Sequence, residues 1–328
     1  MTDPDPLDKL RPGMRAVVRR RIHHGVTDAL GEVVAMDAET VLIRTRRGVE
    51  RIERATVVAA KEVPPKPARR GAPHLAVSMD DLERIMVAGW PPLERAELGG
   101  WLLRAGAGFT GRANSVLPLG DPGCLLSEAV DRCESWYDDR DLRPLFCLFG
   151  PAGFVVGDDP LGRELLARAY EPLIRIAVLT AATRGLAPEL AHASGARVRL
   201  EASPSPRWWD AWASRGDRNV SAPRSTAQAV MCGSPDQLFA SLELEGEVVG
   251  VARLALAQGW AGVFSLHVAP ENRRHGVALQ LMGAMADASR AHGIRSMYLQ
   301  VMNASAPAVA LYQRLGFSTH HQYCYLGS

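Results

Sequence analysis

The stretch from Val263 to Phe317 decides the fold of this chain, because it has the pattern of an apolar strand, a basic loop with a glycine, a helix, a second strand and a second helix. Its loop region is Leu266-His267-Val268-Ala269-Pro270-Glu271-Asn272-Arg273-Arg274-His275-Gly276-Val277-Ala278. Pro270 has no N–H to donate to a neighbouring strand, so it marks the end of the first strand. We therefore expect the chain to leave a sheet at this proline and to enter a helix soon afterwards.

The loop before that helix has the composition of an anion site. The N–H groups in the first turn of a helix lack partners within the helix and carry partial positive charge, so a helix start binds phosphate. Gly276 and Ala278 let an anion approach the main chain closely, and Arg273 and Arg274 add charge-assisted contacts. In the run from Leu279 to His292, apolar residues recur at spacings of three or four, which predicts a helix with one face on a sheet.

A second motif closes the stretch, with the sequence Ala308-Val309-Ala310-Leu311-Tyr312-Gln313-Arg314-Leu315-Gly316-Phe317. Together with the Arg-x-x-Gly-x-Ala loop, it resembles the GNAT superfamily of N-acetyltransferases. Two motifs in the family's order are more specific than the loop alone, because short glycine patterns often arise by chance. The resemblance implies an α/β chain with the α+β GNAT fold, in which helices flank a mixed, mostly antiparallel sheet. It also implies acetyl-CoA as the co-substrate.

The resemblance assigns roles to residues by their position in the motifs. In this family the strand before the loop pairs with the pantetheine arm, a role that falls to Leu266, His267 and Val268. The loop amides hold the pyrophosphate, a role that falls to Arg273, Arg274, His275, Gly276, Val277 and Ala278. Ser305 stands near the position where many members carry an Asn that contacts pantetheine. Tyr312 takes the place of the tyrosine that protonates the departing thiolate; packing beneath Phe317 is its alternative role.

The sequence does not identify the general base. Many family members place a Glu early in the strand before the loop, where residues 261–263 are Ala, Gly and Val. His267 is a candidate because imidazole titrates near neutral pH; a histidine packed between sheet and helix is the alternative. Glu243 and Glu201 are further candidates on neighbouring strands, and each has the alternative of a solvated strand residue.

Length and composition limit the class of protein. The chain has 328 residues, of which 47% are hydrophobic, which predicts two or three packed modules. Its net charge of +2 is too small to indicate a nucleic-acid or membrane partner. An acidic start without a signal pattern, and no apolar stretch of about 20 residues, predict a cytoplasmic protein without a membrane anchor. The five cysteines have no metal-type spacing and are odd in number, so we expect neither a metal nor a disulfide framework.

Residues 1–63 are predicted to form an SH3-like β-barrel, because short β-branched runs alternate with turn residues. The basic run Arg19-Arg20-Arg21-Ile22-His23-His24 suggests contact with RNA or DNA. The alternative is a solvated edge strand whose charges prevent pairing with other chains, since acidic residues lie nearby in sequence. His23 and His24 lack a third partner for a metal.

The remaining chain is predicted to contain a linker and two halves. Prolines in residues 64–77 predict an extended linker. Residues 78–190 repeat the order of strands and helices found around the later loop, which predicts a degenerate GNAT-like half. Asp121 stands where a phosphate loop would lie and would repel a pyrophosphate. Residues 191–328 are then the catalytic GNAT domain, in a tandem layout similar to that of proteins such as mycothiol synthase.

Two further segments belong to the predicted catalytic half. Residues 238–244 and 248–254 form a predicted β-hairpin around a Glu-Gly-Glu turn. The aromatic cluster of Trp208, Trp209 and Trp212 follows Pro206 on a predicted helix. These tryptophans line an acceptor pocket in one interpretation and belong to the core in the other.

The sequence therefore predicts an acetyl-CoA-dependent N-acetyltransferase that acts on a primary amine of a small molecule. Transfer to a protein amine is one alternative, and a non-catalytic acyl-CoA sensor or scaffold is another. The N-terminal module leaves nucleic-acid or partner binding open. The sequence indicates neither the acceptor nor the oligomeric state.

Overall fold

The computed structural model describes residues 6–7, 10–23, 25–45, 48–63, 73–186, 197–214 and 222–328. The chain divides into two compact units, Met1–Arg70 and Gly71–Ser328. The boundary falls within the predicted proline-rich linker, of which residues 64–72 lie outside the described part. The end of the same segment forms a short helix, α1 (Pro73–Ala76).

The first unit contains a five-stranded antiparallel sheet. Its strands are β1 (Arg15–Ile22), β2 (Gly25–Met36), β3 (Thr40–Thr45), β4 (Gly48–Glu53) and β5 (Val57–Glu62), in the order β4-β3-β2-β1-β5. Buried apolar residues from four of these strands form the core, among them Val18, Val33, Ile43 and Ile52. The structure thus shows an all-strand module here, and its assignment to SH3-like barrels stays a prediction.

The basic run of β1 does not lie on an edge strand, so that expectation is wrong. β1 pairs with β2 on one side and with β5 on the other. Arg19 binds Asp28 at 2.8 Å and Arg20 binds Glu50 at 2.8 Å, and the hydrogen bond from Arg19 lowers the pKa of the Asp28 carboxyl. These ion pairs reduce the positive charge that a nucleic acid would meet. His24 lies outside the described residues.

The second unit is built on an eight-stranded sheet and a small three-stranded sheet. The three-stranded sheet consists of β6 (Glu94–Leu98), β7 (Trp101–Ala105) and β8 (Leu117–Pro118). The large sheet consists of β9 (Leu145–Gly150), β10 (Glu171–Ala182), β11 (Arg197–Glu201), β12 (Gln237–Leu244), β13 (Glu247–Ala257), β14 (Trp260–Val268), β15 (Ser296–Met302) and β16 (Ser318–Gly327). Its strand order is β11-β12-β13-β14-β15-β10-β16-β9. Only the β14–β15 pair is parallel, which confirms the predicted mixed, mostly antiparallel sheet.

Helices cover both faces of the large sheet. They are α2 (Met79–Gly89), α3 (Leu126–Asp138), α4 (Pro160–Ala167), α5 (Pro206–Ala213), α6 (Arg224–Met231), α7 (Val277–Ala291) and α8 (Ala306–Arg314). One face packs against α7 and α8 through a core that includes Leu281, Met285 and Leu299. The opposite face packs against α2, α5 and α6 through a second core that includes Trp208 and Tyr298. We call these the α7 face and the α2 face.

The two predicted halves contribute strands to the same sheet. β10 lies between β15 and β16 and pairs with both, and β9 pairs with β16 at the edge. Segments 78–190 and 191–328 therefore form one compact unit with a shared sheet. The division of this unit at residue 190 into a degenerate GNAT-like half and a catalytic half stays a prediction.

The tryptophans of α5 belong to the core of the α2 face. Trp208, Trp209 and Trp212 are all buried, and the Trp208 indole N–H donates to the Ala240 carbonyl at 3.0 Å. Their packing supports the core interpretation over an open acceptor pocket.

Candidate active site

The two parallel strands at the centre of the large sheet, β14 and β15, separate toward their C-terminal ends. Their pairing ends at Val263 opposite Leu299, and no later pair follows in the described part of the chain although β14 continues to Val268 and β15 to Met302. On its other edge β14 stays paired with β13, and the edge without a partner offers its backbone groups to an extended ligand. The gap is therefore a place where a peptide-like group can pair with β14.

A bulge in β14 determines which side chains face the two sides of the gap. The pairing with β13 shifts its register after Phe264, and Ser265 adopts a φ of +55° within the bulge. Such a bulge bends the strand and turns the residues that follow it. Beyond it, Leu266 and Val268 pack on the α7 face. His267 lies on the α2 face, because it is opposite a residue of that core on β13.

The loop between β14 and α7 ends in a helix start that no described side chain caps. Gly276 precedes α7 with a φ of +81°, and no atom lies within 4 Å of the position that a Cβ would take there. The first N–H groups of α7 are therefore open to an approaching anion. Arg273 and Arg274 lie exposed beside them, and the Arg273 Nε–H donates to the Val268 carbonyl at 3.2 Å. This arrangement fits a pyrophosphate group.

These elements border a cavity of about 820 Å³ on the α7 face. Its lining includes nine of the predicted cofactor residues: Leu266, Val268, Arg273, Arg274, Gly276, Val277, Ala278, Ser305 and Tyr312. The structure does not place the other two, His267 and His275, in this lining: His267 lies on the opposite face, and His275 is exposed on the loop. The volume is within the range that small-molecule and cofactor sites occupy.

Tyr312 meets the requirements of a proton donor in this cavity. It lies in α8 with 9% of its surface exposed, and burial raises its pKa to about 12, so the phenol stays protonated at neutral pH. An ordinary thiol has a pKa of about 8.5, below that of Tyr312, so donation to the departing sulfur requires that the phenol regains a proton from the reacting nitrogen in the same step. The ring also contacts Phe317, with 5.9 Å between ring centres. The packing role and the donor role are therefore compatible.

Ser305 and Asn303 have different surroundings at the start of α8. Ser305 directly precedes the helix and lines the cavity. The Asn303 side-chain oxygen accepts a hydrogen bond from Gln322 at 3.2 Å. Ser305 is thus the better placed of the two for a contact with pantetheine.

The carboxylates considered as bases on neighbouring strands lie away from the gap. Glu243 on β12 binds Arg199 at 3.1 Å, and Glu201 on β11 is exposed. β13 separates both strands from β14 in the sheet. Their surroundings match the alternative role of solvated strand residues.

A polar cluster on the α2 face was not anticipated from the sequence. Glu83 of α2 and His321 of β16 are buried, and the Glu83 Oε1 lies 2.9 Å from the His321 Nε2. Glu83 borders a small cavity of about 10 Å³, whose lining also includes Arg104, Arg112 and Gln300. The sequence contained two features that could have indicated this cluster: a His-His pair in a terminal strand with several apolar residues, and a Glu beside the apolar positions of α2. Glu83 and His321 are 238 positions apart, so no local pattern shows that they meet.

The loop that carries Arg112 is held in a fixed conformation next to the gap. Asn114 is buried, and its side-chain oxygen accepts from the N–H groups of Gly106 and Gly108 at 2.8 and 2.9 Å. The Arg112 guanidinium lies 5.7 Å from the ring centre of Phe264, the last residue of β14 before the bulge. The α2 face therefore presents a positive charge close to the gap.

Residues 78–326 match the model of the family described as Probable histone acetyltransferase Rv0428c C-terminal. The match covers nearly all of the second unit and most of the chain. The chain belongs to this family.

Two curated proteins are similar in sequence. The chain is 28% identical over 325 residues to the probable histone acetyltransferase Rv0428c of Mycobacterium tuberculosis, covering 96% of this chain and 94% of that protein. It is also 28% identical over 254 residues to the uncharacterized N-acetyltransferase YobR of Bacillus subtilis, covering 75% of this chain and 98% of that protein. The predicted enzyme class is confirmed: the chain is an N-acetyltransferase of the GNAT type.

A solved structure shares the fold. It is a tandem GNAT protein from the clavulanic acid biosynthesis pathway, with a TM-score of 0.51 and 14% sequence identity, covering 79% of this chain and 90% of that chain. This likeness confirms the predicted fold class and its similarity to tandem GNAT proteins.

Two features are absent from the described residues. No helix there has the length and apolar character needed to cross a membrane. No group of three or more His, Cys, Asp or Glu side chains in the same ranges is placed to hold a metal ion.

Proposed function

We propose that this chain transfers the acetyl group of acetyl-CoA to the primary amine of a small molecule, by direct attack of the amine on the thioester. The observation that carries the proposal is the cavity on the α7 face. It combines an unpaired stretch of strand, an uncapped helix start and a buried tyrosine in one space.

Each part of acetyl-CoA has a matching part of the cavity. The N–H groups from Gly276 to Ala278 would hold the pyrophosphate, with Arg273 adding charge. The backbone of Leu266–Val268 would pair with the amide groups of pantetheine, as a neighbouring strand does. Ser305 would contact the same arm from the opposite wall. The thioester would then lie in the gap between β14 and β15.

The residues around the gap supply the chemistry. A β14 amide near Val268 would donate to the oxygen that gains negative charge during attack. Tyr312 would donate its proton to the sulfur as the C–S bond breaks. The amine would approach from the α2 face, because the α7 face is taken by the cofactor cavity.

A protein amine is the second candidate acceptor. A lysine side chain presents the same primary amine, and the relative that matches along almost the whole chain, including the first unit, is named as a probable histone acetyltransferase. A sensor without catalysis is the third candidate, and it differs from both enzymes because it predicts binding without thiol release.

Calorimetric titration with acetyl-CoA, followed by thiol release in the same preparation, tests the proposal. The acceptor panel contains a polyamine, an aminoglycoside, a free amino acid and a lysine-containing peptide. We expect saturable binding, and thiol release that depends on one of the small amines. Release with the peptide alone would favour the protein acceptor, binding without release would favour the sensor, and absence of binding would contradict the proposal.

A further inference from the structure

The polar cluster on the α2 face forms a chain of hydrogen bonds. The Val77 carbonyl oxygen lies 2.9 Å from the His320 Nε2, and the His320 Nδ1 lies 2.8 Å from the His321 Nδ1. The His321 Nε2 in turn lies 2.9 Å from the Glu83 Oε1. The chain thus joins a backbone carbonyl at one end to a carboxyl group beside the small cavity at the other.

These contacts fix the number of protons in the chain. The Val77 carbonyl only accepts, so the His320 Nε2 carries a hydrogen. If His320 is neutral, its Nδ1 accepts, and the His321 Nδ1 carries the second hydrogen. The contact between His321 and Glu83 then needs a third hydrogen, on the imidazole or on the carboxyl. A doubly protonated His320 gives the same total, so the chain holds one proton more than neutral imidazoles beside an ionised carboxylate. With that proton on an imidazole, the Glu83 carboxyl group is ionised and can act as a base.

We propose that Glu83 accepts the proton of the substrate amine through a water molecule, and that His321 and His320 hold its carboxyl group in place. This inference rests on the proposed acetyl transfer and supplies the general base that the β14 sequence lacks. Glu83 and His321 are almost fully buried, so the contact between them orients the carboxyl group that faces the small cavity.

The small cavity lies between Glu83 and β15, one of the two strands that border the gap. Its volume of about 10 Å³ corresponds to about one water molecule. Gln300 lines it from β15, directly after the last residue that pairs with β14. The Gln300 side-chain oxygen is a buried acceptor without a hydrogen-bond partner among the described residues. A water at this point would donate to Gln300 and Glu83 and accept from the amine.

The charges around Glu83 favour loss of a proton from a bound ammonium. Arg104 and Arg112 line the same cavity, and positive charge nearby lowers the pKa of an amine. The other ionisable groups that face Glu83 or the cavity beside it from the sheet are Cys147, Tyr298, Tyr323 and Tyr325; burial raises the pKa of each, so they stay neutral. On α2 itself, the neighbouring charged residues are Asp80, Asp81 and Arg84.

The protons and bonds of the transfer balance with these groups. The ammonium first loses one proton through the water to Glu83, and Glu83 returns that proton to solvent through the same cavity once the product has left. The C–N bond then forms as the C–S bond breaks. Tyr312 gives its proton to the sulfur, and the second proton of the amine nitrogen restores the phenol. The net result is an amide, a thiol and one free proton.

The substitution Glu83→Gln tests this role without breaking the chain. The amide N–H of Gln would donate to the Nε2 of a neutral His321, and the remaining hydrogen bonds would keep their directions. The variant would therefore fold, yet its side chain would be unable to accept a proton. We expect kcat to fall by about 100-fold or more, while the Kd for acetyl-CoA stays within about twofold of the wild type.

The pH profile separates a proton acceptor from a structural residue. The same amine of the panel that gives thiol release with the wild type serves as the probe. In Glu83→Gln the rate should keep rising with pH where the wild-type rate is level, because solvent has to remove the proton. Asp80→Asn, an exposed substitution on the same helix, is the matched control and should leave the rate and profile unchanged.

Each outcome decides between the two proposals. An active wild type with an equally active Glu83→Gln of unchanged pH profile would overturn the inference alone. A variant with a lower rate but the wild-type profile would assign Glu83 a structural role and also overturn it. A wild type that binds acetyl-CoA but releases no thiol with any amine would remove the proposed transfer, and the inference with it.

Discussion

The α7 face and the α2 face of the large sheet differ in how their functional residues are distributed along the chain. The cavity on the α7 face is lined by residues from Leu266 to Arg314, which lie within the stretch that the sequence marks out. The cluster on the α2 face joins residues of α2, β7 and the loop after it, β9, β15 and β16, from Glu83 to Tyr325. One site is local in sequence and the other is assembled by the tertiary fold.

This difference has a physical cause. A pyrophosphate and a pantetheine arm are recognised mainly by backbone groups, which need a helix start, a small residue and an unpaired strand at short spacing. An amine acceptor has no such common part, so its site depends on side chains brought together from distant elements. The cofactor side can therefore be recognised from a motif, whereas the acceptor side requires the structure.

Tyr312→Phe tests the proton donor of the α7 face, and among the substitutions that follow, it should have the largest effect. Removal of the hydroxyl should lower kcat by about 100-fold, because general acid catalysis contributes about 10² to 10⁴ in rate. Calorimetry should show an unchanged Kd for acetyl-CoA. Because the pKa of Tyr312 is about 12, the wild-type rate should not fall from ionisation of this group below about pH 11.

Tyr170→Phe is the matched control, since this hydroxyl binds Glu134 in a separate core. Both variants remove the hydroxyl group of one buried tyrosine, but only Tyr312→Phe should slow turnover. Equal rates for Tyr312→Phe and the wild type would leave Tyr312 with its packing role alone.

Arg253→Met tests how the α2 face is held together. Arg253 is fully buried, and burial lowers its pKa to about 10. It donates to the Gly89 carbonyl at 2.8 Å and to Gln237 and Ser234, so it fastens the end of α2 to β13. Loss of these bonds should lower the free energy of unfolding by about 2 kcal/mol, because a buried acceptor left without a partner costs about 1 to 3 kcal/mol.

Chemical denaturation measures this change. Arg132→Met removes an exposed arginine paired with Glu128 on α3 and should cost less than about 0.5 kcal/mol. If both substitutions had the same small effect, the bonds of Arg253 would not be what positions α2.

Arg273→Ala tests the electrostatic part of the cofactor cavity. The side chain is exposed, so its attraction to a pyrophosphate is screened by solvent and salt. We expect the Kd for acetyl-CoA to rise by about fivefold at low salt and by less at high salt, with kcat unchanged. An unchanged Kd at low salt would remove this side chain from the site, and the backbone N–H groups of α7 would then account for binding alone.

His267→Gln should have the smallest effect and sharpens the comparison of the two faces. His267 lies on the α2 face but does not border the small cavity beside Glu83. We expect the rate to change by less than about twofold, with the pH profile of the wild type. A loss comparable to that of Glu83→Gln would make His267 the base, as the sequence allowed.

The sequence predicted the parts of the fold that depend on local patterns. The β12–β13 hairpin and the β14, loop and α7 unit follow from strand alternation, turn residues and a proline after the strand, and the structure contains them. It did not predict that β10 lies between β15 and β16, because the paired residues are 114 to 156 positions apart and no local pattern marks such pairing. The sequence also did not predict that β1 lies inside its sheet, because the charged residues of β1 resemble those of an edge strand.

The candidate site also has one part that the sequence predicted and one part that it did not. Nine of the predicted cofactor residues line one cavity, because their backbone positions are fixed by the bulge, the loop and α7. Glu83 and His321 were missed because each is ordinary in its own segment: a Glu on an amphipathic helix and a His in a strand. Their burial and the contact between their side chains, which only the structure shows, indicate a chemical role.

The structure of the complex with acetyl-CoA is the measurement that tests the central claim most directly. The account predicts the pyrophosphate at the start of α7, near Gly276, and the thioester in the gap between β14 and β15. The acetyl carbonyl should face the α2 side, toward the water site beside Glu83. Acetyl-CoA bound away from Gly276, or a thioester enclosed on the α7 face without access to the α2 face, would contradict the account.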